Sequence, residues 1–384
     1  MLTEQKIHVV HVIYRLDMGG MESGLINLIN RLPPSRFSHT IVCLTHATDF
    51  KDRIRQNNVR IIEMNKAEGK TPGIYRRIYL ELKRLDADIL HTRNLGTLDL
   101  NWSGLAARIP VRIHGEHGWD VADPQGQSLK YKLVRKVCDS AIYRYVAVSK
   151  DIRRWLRDVI GIPSEKIVQI YNGVDTEKFA AKGMVATIPF SKPMKIVFGT
   201  VGRQDAIKGL GVLLDAIKLV FEERPEYREY VGVVLAGIGP ESERCREKIS
   251  CLDIEENVFM AGQVEDVPAL LRKLDFYVQT SLNEGISNTI LEAKATGLAV
   301  ICTDVGGNPE IVRHGEDGYL IRRNDCENLA DNIRRYIDDG PLRNQHGLAG
   351  RIDVTKRFSL TAMTNAYAEL YSLTSASRRI PRVT

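Results

Sequence analysis

Short apolar runs alternate with segments of helical period along almost the whole chain. The runs are continuously apolar and rich in Val and Ile, as in IHVVHVIY and YVGVVLAG. Such runs are typical of strands buried on both faces of a parallel sheet, because a sheet with one solvated face alternates apolar and polar residues. The predicted strands are 7–14, 39–46, 59–64, 88–93, 111–117, 143–149, 166–172, 195–202, 230–237, 257–262, 276–281 and 298–304. Amphipathic segments such as GMESGLINLINRL lie between them, so the pattern predicts βαβ units.

The alternation stops once and then begins again. Residues 180–194, AAKGMVATIPFSKPM, are rich in small residues and contain two prolines, so we expect the interdomain linker there. The 384 residues also exceed the size of one ordinary core. We therefore predict an α/β protein with two doubly wound domains, residues 1–185 and 186–362, facing each other across a cleft. Residues 363–384 are predicted to form a helix that packs back on the first domain, followed by a frayed tail.

Composition narrows the class of protein. Hydrophobic residues make up 43% of the chain and charged residues 27%, as in soluble globular proteins. No apolar run approaches the roughly 20 residues of a membrane helix, and the N-terminus has no signal-peptide pattern. The six cysteines are scattered without a CxxC pair. These features predict a cytoplasmic protein with reduced thiols.

The net positive charge is concentrated in the first half. Residues 1–190 contain 29 Lys and Arg against 20 Asp and Glu, whereas the remainder contains 25 against 28. This asymmetry predicts an anionic partner for the first domain, either a phosphorylated acceptor or an anionic membrane surface, unless these are ordinary solvated helix faces. Basic helices interleaved with Tyr, Leu and Trp155 favour the inner face of the cytoplasmic membrane. A nucleic-acid partner is not expected, since no binding motif is present.

The segment GTVGRQDAIKG leads from a predicted strand into a predicted helix. It places Arg203 and Lys208 five residues apart, beside Gly202, which allows close approach of the backbone. Two cations near a helix N-terminus favour a diphosphate over a single carboxylate. The alternative is a pair of surface cations beside a turn. The chain contains no GxxxxGK[ST] loop and no intact GxGxxG fingerprint.

A second anion site is predicted in SLNEGISNTILEA, residues 281–293. Ser287 or Asn288 is a suitable N-cap, and the amides of the first helical turn are then free to bind phosphate. Glu284 precedes this turn and Glu292 follows it, so the two carboxylates flank a phosphate instead of facing each other. Each carboxylate can accept hydrogen bonds from two neighbouring hydroxyls. The alternative is one loop glutamate and one glutamate on a helix surface.

NEGISNTILEA resembles the EX7E motif of family 4 glycosyltransferases, which have the GT-B fold. The resemblance extends over nearly the whole chain. GRQDAIKG is similar to their diphosphate-binding loop, and YNGVD to the segment that closes their first domain. DMGGMES resembles their acceptor-side loop, HGEHGWD their histidine loop, and TDVGGNPEIVRHGEDGYLI their signature after EX7E.

This resemblance implies roles for particular residues in donor binding. Arg203 and Lys208 would neutralise the diphosphate leaving group, so that no metal and no other cofactor is needed. Glu284 would hold the hydroxyls of the transferred sugar, and Glu292 the ribose. The implied substrate-binding positions are Gly202, Gly262 beside the base, and Gly285, Ile286, Ser287 and Asn288 through their backbone.

The resemblance also implies functional residues in the first domain. Gly19 and Gly20 would let the first loop approach donor phosphate and acceptor, and Asn172 lies in the YNGVD segment. One histidine would contact the donor sugar and stabilise the oxocarbenium-like charge. His114 and His117 both precede a glycine, and we favour His117 because "EHG" matches the common form better.

The resemblance implies a retaining, metal-independent hexosyltransferase of surface polysaccharide or exopolysaccharide assembly. The donor would be a nucleotide-sugar, with UDP favoured over GDP, and the acceptor a lipid-linked glycan or oligosaccharide. The GGMES and HGEHGWD segments are most similar to sugar transferases of exosortase-type systems. The alternatives are a GT-B epimerase acting on a UDP-sugar and a non-catalytic sugar-nucleotide-binding partner of another transferase.

Two further patterns suggest metal sites but are better explained by structure. Asp86-Ala-Asp88 is a literal DxD motif, yet it lies at the start of a predicted strand, where acids commonly end the preceding helix. His8 and His11 lie three apart on one strand, hence on opposite faces, and cannot chelate one ion together. We expect both to be core histidines.

Overall fold

The computed structural model of the chain describes residues 6–69, 71–119, 123 and 126–376. The chain divides into two compact units. Unit 1 comprises residues 1–173 together with 360–384, and unit 2 comprises residues 174–359. Each unit is built on its own parallel sheet, in agreement with the continuous apolar runs of the sequence.

Unit 1 contains a seven-stranded sheet in the order β3-β2-β1-β4-β5-β6-β7. Its strands β1 to β7 are Ile7–Ile13, Phe37–Cys43, Arg60–Glu63, Ile89–Arg93, Val111–Glu116, Arg144–Ala147 and Ile167–Gln169. Its helices α1 to α5 are Gly20–Arg31, Ile74–Leu85, Leu100–Ala106, Leu129–Cys138 and Lys150–Trp155. The sequence order of neighbouring strands reverses between β1 and β4, which makes the sheet doubly wound.

Unit 2 contains a six-stranded sheet in the order β10-β9-β8-β11-β12-β13. Its strands β8 to β13 are Ile196–Val201, Val231–Ala236, Val258–Gly262, Phe276–Gln279, Ala299–Thr303 and Gly318–Ile321. Its helices α6 to α12 are Leu210–Glu223, Ser242–Cys251, Val267–Lys273, Asn288–Thr296, Asn308–Ile311, Cys326–Asp338 and Gly340–Arg357. The order reverses between β8 and β11, so this sheet is doubly wound as well.

Local sequence explains where several of these helices begin. Asp266, Asp325 and Asp339 each accept a hydrogen bond from a backbone amide three residues later, and so act as N-caps of α8, α11 and α12. The apolar stripe of α6 packs on the sheet in one core with Phe198, Phe276 and residues of α11.

The predicted domain boundary at residues 185–186 is wrong, because unit 2 already begins at Val174. The small, proline-containing segment 180–194 forms no helix or strand, as expected, but it is fastened to unit 2. The Arg272 guanidinium donates to the carbonyls of Ala180 and Met184, and the amide of Ala186 donates to Ala269 O at 3.0 Å. Hydrogen bonds to the backbone of this segment therefore hold it within unit 2, although its composition is typical of a linker.

The C-terminal helix α13, Leu360–Ala376, belongs to unit 1 by its contacts. Its residues Met363, Tyr367 and Tyr371 share one hydrophobic core with Phe37 of β2 and Ile113 of β5. Unit 2 therefore ends at Ser359, a few residues before the predicted limit of 362. The tail predicted to fray lies outside the described residues from 377 onward.

The strand β13 is absent from the predicted set of strands. GYLI is only four residues long and follows a glycine-containing turn, so its pattern carried too little information. Backbone pairing of Val300 with Gly318 nevertheless adds it to the edge of the sheet. A Cβ at residue 318 would meet the backbone of Val300, so the strand begins at a glycine.

Three further features concern membrane helices, cysteine pairing and groups of metal ligands. Within the described ranges, no helix is both long enough and apolar enough to cross a membrane. All six cysteines are unpaired. Among the residues described, no three His, Cys, Asp or Glu side chains are grouped so that they could hold a metal ion.

One buried ion cluster ties α9 to the rest of unit 2. Lys294 of α9 and Asp317 are both fully buried, with Nζ 3.2 Å from Asp317 Oδ2. Asp353 of α12 lies 3.6 Å from the same ammonium. We predict that Lys294→Ala lowers the free energy of unfolding by about 3 kcal/mol or more, because it leaves buried carboxylates without this partner.

The partly exposed pair Lys248–Asp215, 2.7 Å apart, provides the matched control. Lys248→Ala should cost at most about 1 kcal/mol, since water screens an exposed pair. Urea denaturation of the three proteins measures the difference. Equal losses of unfolding free energy for the two variants would contradict the importance assigned to the burial of the Lys294 pair.

Candidate active site

The predicted donor-binding segments of unit 2 meet at the reversal point of its sheet. Strands β8 and β11 are neighbours there, and ligands of doubly wound sheets bind outside the carboxyl ends of the strands at such a point. The loop 202–209 follows β8, and the loop 280–287 follows β11. The topology therefore brings together two segments that are more than 70 residues apart in sequence.

An ion pair joins these two loops. Lys208 Nζ lies 2.6 Å from Glu284 Oε1, and both side chains are largely buried. The Ser281 hydroxyl donates to the same carboxylate oxygen at 2.7 Å. Burial lowers and the Glu284 carboxylate raises the pKa of Lys208, with a net shift upward, so the ammonium stays charged. The pair places a cation at the carboxyl end of β8 and a bonded carboxylate beside it.

Close backbone packing surrounds the loop after β8. Gly202 has φ of 156°, and a Cβ on Gly237 would overlap its carbonyl oxygen. The amide of Gly237 in turn donates to the carbonyl of Gly262 at 2.7 Å. The three strand ends therefore meet through glycines, which leaves the backbone open to a ligand. The Gly237-Ile-Gly239 segment is no dinucleotide fingerprint, yet it supports the predicted diphosphate loop.

Arg203 is not part of the Lys208–Glu284 cluster in this structure. Its side chain is 61% exposed and is paired with Asp205, with Nη2 2.6 Å from Oδ2. The two cations predicted to act together are therefore held differently, one in the pocket and one at its surface.

The N-terminus of α9 is built as the sequence predicts, with Ser287 as the N-cap. Its hydroxyl accepts from the amide of Ile290 at 3.3 Å and from Gln279 Nε2 at 2.9 Å. In the described part of the chain, the amides of Gly285, Ile286 and Ser287 donate to no acceptor. Free amides at a helix N-terminus favour an anion. Asn288 is the first residue of the helix.

The Gly-Gly segment of TDVGGNPE packs directly on the candidate site. Gly306 has φ of 52°, a region that favours glycine, and a Cβ there would overlap the carbonyl oxygen of Glu284. The backbone of Glu284 is thus held from one side by Gly306 and its carboxylate from the other by Lys208.

Glu292 lies on α9, one turn after the N-terminal amides. Among the described residues, its carboxylate has no hydrogen bond and no salt-bridge partner. Desolvation raises the pKa of Glu292 to about 7, and Lys178 opposes this shift. The two glutamates of the motif therefore differ, because Glu284 is already bonded and Glu292 is available to a ligand.

The candidate residues of unit 1 follow the carboxyl ends of strands, and Gly19 and Gly20 do so beside the reversal point between β1 and β4, whereas Asn172 follows the edge strand β7. Gly19 is the N-cap of α1 and Gly20 its first residue, at the end of the loop that follows β1. Asn94 follows β4, and its side-chain oxygen accepts from the amide of His117 at 2.8 Å. Asn172 follows β7 and is partly buried.

The two candidate histidines of HGEHGWD have different surroundings. His114 is fully buried on β5, with Nδ1 2.8 Å from the Thr92 hydroxyl and Nε2 3.5 Å from Glu116. His117 follows the strand and is partly buried, and its Nε2 has no partner among the described residues. Neither Nε2 has a hydrogen-bond partner among the described residues, but His114 Nε2 faces the Glu116 carboxylate, whereas no carboxylate of the described residues forms an ion pair with His117. Asp120, the last residue of the motif, lies outside the described residues.

The residues of the two alternative metal patterns have structural roles instead. Asp86 ends α2 with φ of 44°, and Asp88 accepts the backbone amide of His8 at 2.8 Å. His8 Nε2 lies 3.0 Å from the Thr40 hydroxyl, and His11 Nε2 lies 3.1 Å from His39. Both histidines are thus bonded to β2 on opposite faces of β1.

Sequence reasoning missed several polar residues near these loops. Gln204 is 1% exposed and both polar atoms of its side chain lack a partner within the described chain. It lines a small pocket with Lys208 and Gln279. In unit 1, His91 and Arg93 are buried beside His117. The signals in the sequence that could have indicated these residues are the polar segments RQD (203–205) and HTR (91–93), each of which follows an apolar run.

Comparison with known proteins agrees with this geometry. Residues 18–178 match the family described as Glycosyltransferase Family 4, and residues 195–339 match Glycosyl transferases group 1. The chain is 27% identical over 384 residues to UDP-Gal:alpha-D-GlcNAc-diphosphoundecaprenol alpha-1,3-galactosyltransferase of Escherichia coli, covering 96% of this chain and 97% of that protein. It is 29% identical over 220 residues to the lipopolysaccharide core biosynthesis mannosyltransferase LpsB of Rhizobium meliloti, covering 53% and 59%.

A solved structure shares the fold. Anabaena HepE in complex with UDP and glucose has a TM-score of 0.80 with this chain at 20% identity, covering 95% of this chain and 99% of that one. The chain therefore carries a Glycosyltransferase Family 4 domain followed by a Glycosyl transferases group 1 domain, and it is a glycosyltransferase with the GT-B fold.

Proposed function

We propose that the chain is a retaining, metal-independent hexosyltransferase that moves a sugar from a UDP-sugar to a lipid-linked glycan or oligosaccharide. The observation that carries this proposal is the Lys208–Glu284 pair beside the free amides of Gly285, Ile286 and Ser287. A cation, a helix N-terminus and a carboxylate side by side suit a phosphate attached to a sugar.

Each part of the donor has a proposed partner in unit 2. Lys208 and the amides before α9 bind the diphosphate, and Arg203 leaves Asp205 to join them. Glu284 accepts hydrogen bonds from hydroxyls of the transferred sugar, and Glu292 accepts those of the ribose diol. The backbone at Gly202 and Gly262 borders the phosphate and the base. His117 of unit 1 contacts the transferred sugar, and Gly19, Gly20 and Asn172 border the substrates.

The names of the relatives support the choice of substrates. The Escherichia coli relative is named for a UDP-Gal donor and a diphosphoundecaprenol-linked acceptor. Anabaena HepE was solved with UDP, with UDP-glucose, and with UDP and glucose. We therefore propose a UDP-sugar as the donor and a lipid diphosphate as the carrier of the acceptor. We further propose exopolysaccharide assembly of the exosortase type, on the GGMES and HGEHGWD segments.

The proposed chemistry needs no protein nucleophile. The bond between the anomeric carbon and the leaving phosphate breaks, and the acceptor oxygen bonds to the same face of the sugar. The acceptor proton passes to an oxygen of the departing phosphate. Catalysis then rests on positioning and on electrostatic stabilisation of the diphosphate by Lys208, Arg203 and the helix amides, and a metal is not required.

We propose that unit 1 binds an anionic membrane surface through α2, α3 and α4, at the inner face of the cytoplasmic membrane. Tyr75 and Trp102 border a groove of about 520 Å³, and both side chains are exposed. On α4, Leu129 and Leu133 are 81% and 65% exposed. Lys130, Lys132 and Lys136 of the same helix supply complementary charge for anionic lipid.

A nucleotide panel tests the transferase function directly. UDP and UDP-sugars should raise the melting temperature of the chain in the presence of EDTA, and by more than GDP- and ADP-sugars do. Direct binding of the diphosphate to Lys208 and to the helix amides predicts stabilisation without a metal. The preference for uracil follows from the UDP donors and UDP complexes of the relatives. The absence of stabilisation by any nucleotide would overturn the proposal, and a strict metal requirement would overturn metal independence.

The two glutamates should separate turnover from nucleotide binding. Glu284→Gln should lower kcat far more than it weakens binding of free UDP, because its proposed partner is the transferred sugar. Glu292→Gln should weaken UDP binding about tenfold, since the ribose loses a charged acceptor. Calorimetry with UDP and assays of turnover measure both. Equal effects of the two variants on both quantities would mean that the roles are assigned wrongly.

The pH dependence supplies the internal control for Glu292. Its pKa is raised to about 7, so the carboxylate that accepts from ribose is ionised above this pH and is lost below it. UDP affinity should therefore fall as the pH decreases from 8 to 6, and Glu292→Gln should lose this part of the dependence. The terminal phosphate of UDP also gains a proton near a pH of about 6, and the variant retains that contribution.

The membrane proposal is tested by cosedimentation with vesicles. Vesicles that contain phosphatidylglycerol should bind the chain at low salt, whereas pure phosphatidylcholine should not. Leu133→Glu should weaken this binding, because it places an anion on the proposed surface. Leu348→Glu changes an equally exposed leucine of unit 2 and should have no effect. Equal binding of both variants would contradict the proposed surface.

A further inference from the structure

Asn94, the first residue after β4, has a backbone conformation that favours glycine. Its φ is 59° and its ψ is 172°. Residues that carry a Cβ adopt this region rarely and lose stability when they do. Such conformations persist only where surrounding contacts hold them, and they cluster at functional sites. The side chain of Asn94 must therefore contribute something that glycine, which fits this backbone without strain, would not.

Hydrogen bonds hold the chain on both sides of Asn94. Its amide donates to the carbonyl of Gly115 at 2.8 Å, next to the last paired residues of β4 and β5. Its carbonyl accepts from the amide of Thr97 at 3.2 Å. The buried Thr97 hydroxyl donates to the carbonyl of Arg93 at 2.7 Å and accepts from the amide of Arg93 at 2.8 Å. These contacts keep the strained turn in one conformation.

The side chain of Asn94 reaches the end of the neighbouring strand. Its Oδ1 accepts from the backbone amide of His117 at 2.8 Å, although the two residues are 23 positions apart. His117 is the first residue after β5, as Asn94 is the first after β4. Asn94 therefore bonds to the backbone on both sides of Glu116, at Gly115 through its main chain and at His117 through its side chain.

The place of the His117 ring depends on this backbone contact. Within the described residues, no hydrogen bond orients the ring itself. The ring is attached to the Cα that follows the bonded amide nitrogen, so a shift of this backbone would carry the ring with it. A displacement of about 1 Å at a reacting centre can reduce turnover by about a hundredfold. The amide oxygen of Asn94 thus controls where a candidate substrate contact lies.

We infer that Asn94 is a positioning residue for His117, which it holds by the backbone at the end of β5. The inference rests on the proposed transferase function, in which His117 contacts the transferred sugar. Glycine at residue 94 would relieve the strain but would leave the His117 amide without its acceptor. Some stability is therefore lost at Asn94 in return for the placement of a functional side chain.

Two substitutions of Asn94 separate this contact from the backbone strain. Asn94→Gly removes the acceptor and the strain, whereas Asn94→Ala removes the acceptor and keeps the strain. Asn94→Ala should therefore melt about 2 °C or more below Asn94→Gly. Both variants should lower kcat by about five- to twentyfold and to a similar extent, because both lose the bond to His117. The assay measures release of UDP from UDP-galactose or UDP-glucose with GlcNAc-diphosphoundecaprenol as the acceptor.

Asn324→Gly is the matched control for the loss of an asparagine at positive φ. Asn324 has φ of 57° and is exposed, and its side chain has no hydrogen bond within the described chain. This variant should change kcat by less than about twofold.

Hydrogen exchange tests the contact without any substrate. The amide of His117, resolved by fragmentation of its peptide, should exchange several times faster in Asn94→Gly and Asn94→Ala than in the wild type and Asn324→Gly. Unchanged exchange of this amide would overturn the inference, because Asn94 would then not hold His117.

Turnover supplies the second decisive result. If kcat of Asn94→Gly stays within about twofold of the wild type, Asn94 serves only the fold and the inference is wrong. Calorimetry should give equal UDP affinities for the wild type and the three variants, because the proposed nucleotide contacts lie in unit 2. A wild type that binds UDP but releases none from either sugar would contradict the proposed function instead. The exchange result would still decide whether Asn94 holds His117.

Discussion

The contact between Lys208 and Glu284 is the interaction on which the candidate site of unit 2 depends. It joins the loop after β8 to the loop after β11 at 2.6 Å, and both loops must approach closely for it to form. Glycine makes this approach possible, because a Cβ on Gly209 or Gly306 would overlap the backbone of Thr280 or Glu284. The ion pair, the close backbone packing and the free amides before α9 are therefore one arrangement. A change in any of these parts would move the others.

The buried cations Lys294, Lys208 and Arg93 are held in different ways. Lys294 is surrounded by carboxylates, and Lys208 has one carboxylate that a substrate can share. Arg93 has imidazole nitrogens instead, which bear no charge. A cation that is already paired with two carboxylates binds a further anion weakly, so the role of Lys294 is to stabilise the fold. Burial, together with the Arg93 charge, lowers the pKa values of His11 and His91, so both rings beside Arg93 are neutral.

The sequence predicts most of this fold but only part of its sites. Continuous apolar runs identified every strand of both parallel sheets except β13, and Ser287 is one of the two N-caps that SNTILEA offered. The boundary at Val174 did not follow, because its cause is backbone bonding between a proline-containing segment and α8. The roles of His114 and His117 depend on where β5 ends, and strand ends are poorly specified by an apolar run. His91 and Arg93 lie within a strand and look like core residues until their ring contacts are known.

The eight-residue spacing sets Glu284 and Glu292 on either side of a helix N-terminus, unlike the converging carboxylate pair of a glycoside hydrolase. Glycoside hydrolysis needs two carboxyl groups that converge on one bond, with one of them protonated. Here Glu284 is bonded to Lys208 and Ser281, while Glu292 stands one turn into α9 with its pKa raised to about 7. A helix N-terminus lies between them, and its amides are suited to an anion that neither carboxylate could hold. Different surroundings therefore suit the two glutamates to the different ligands proposed for them, the hydroxyls at either end of a diphosphate.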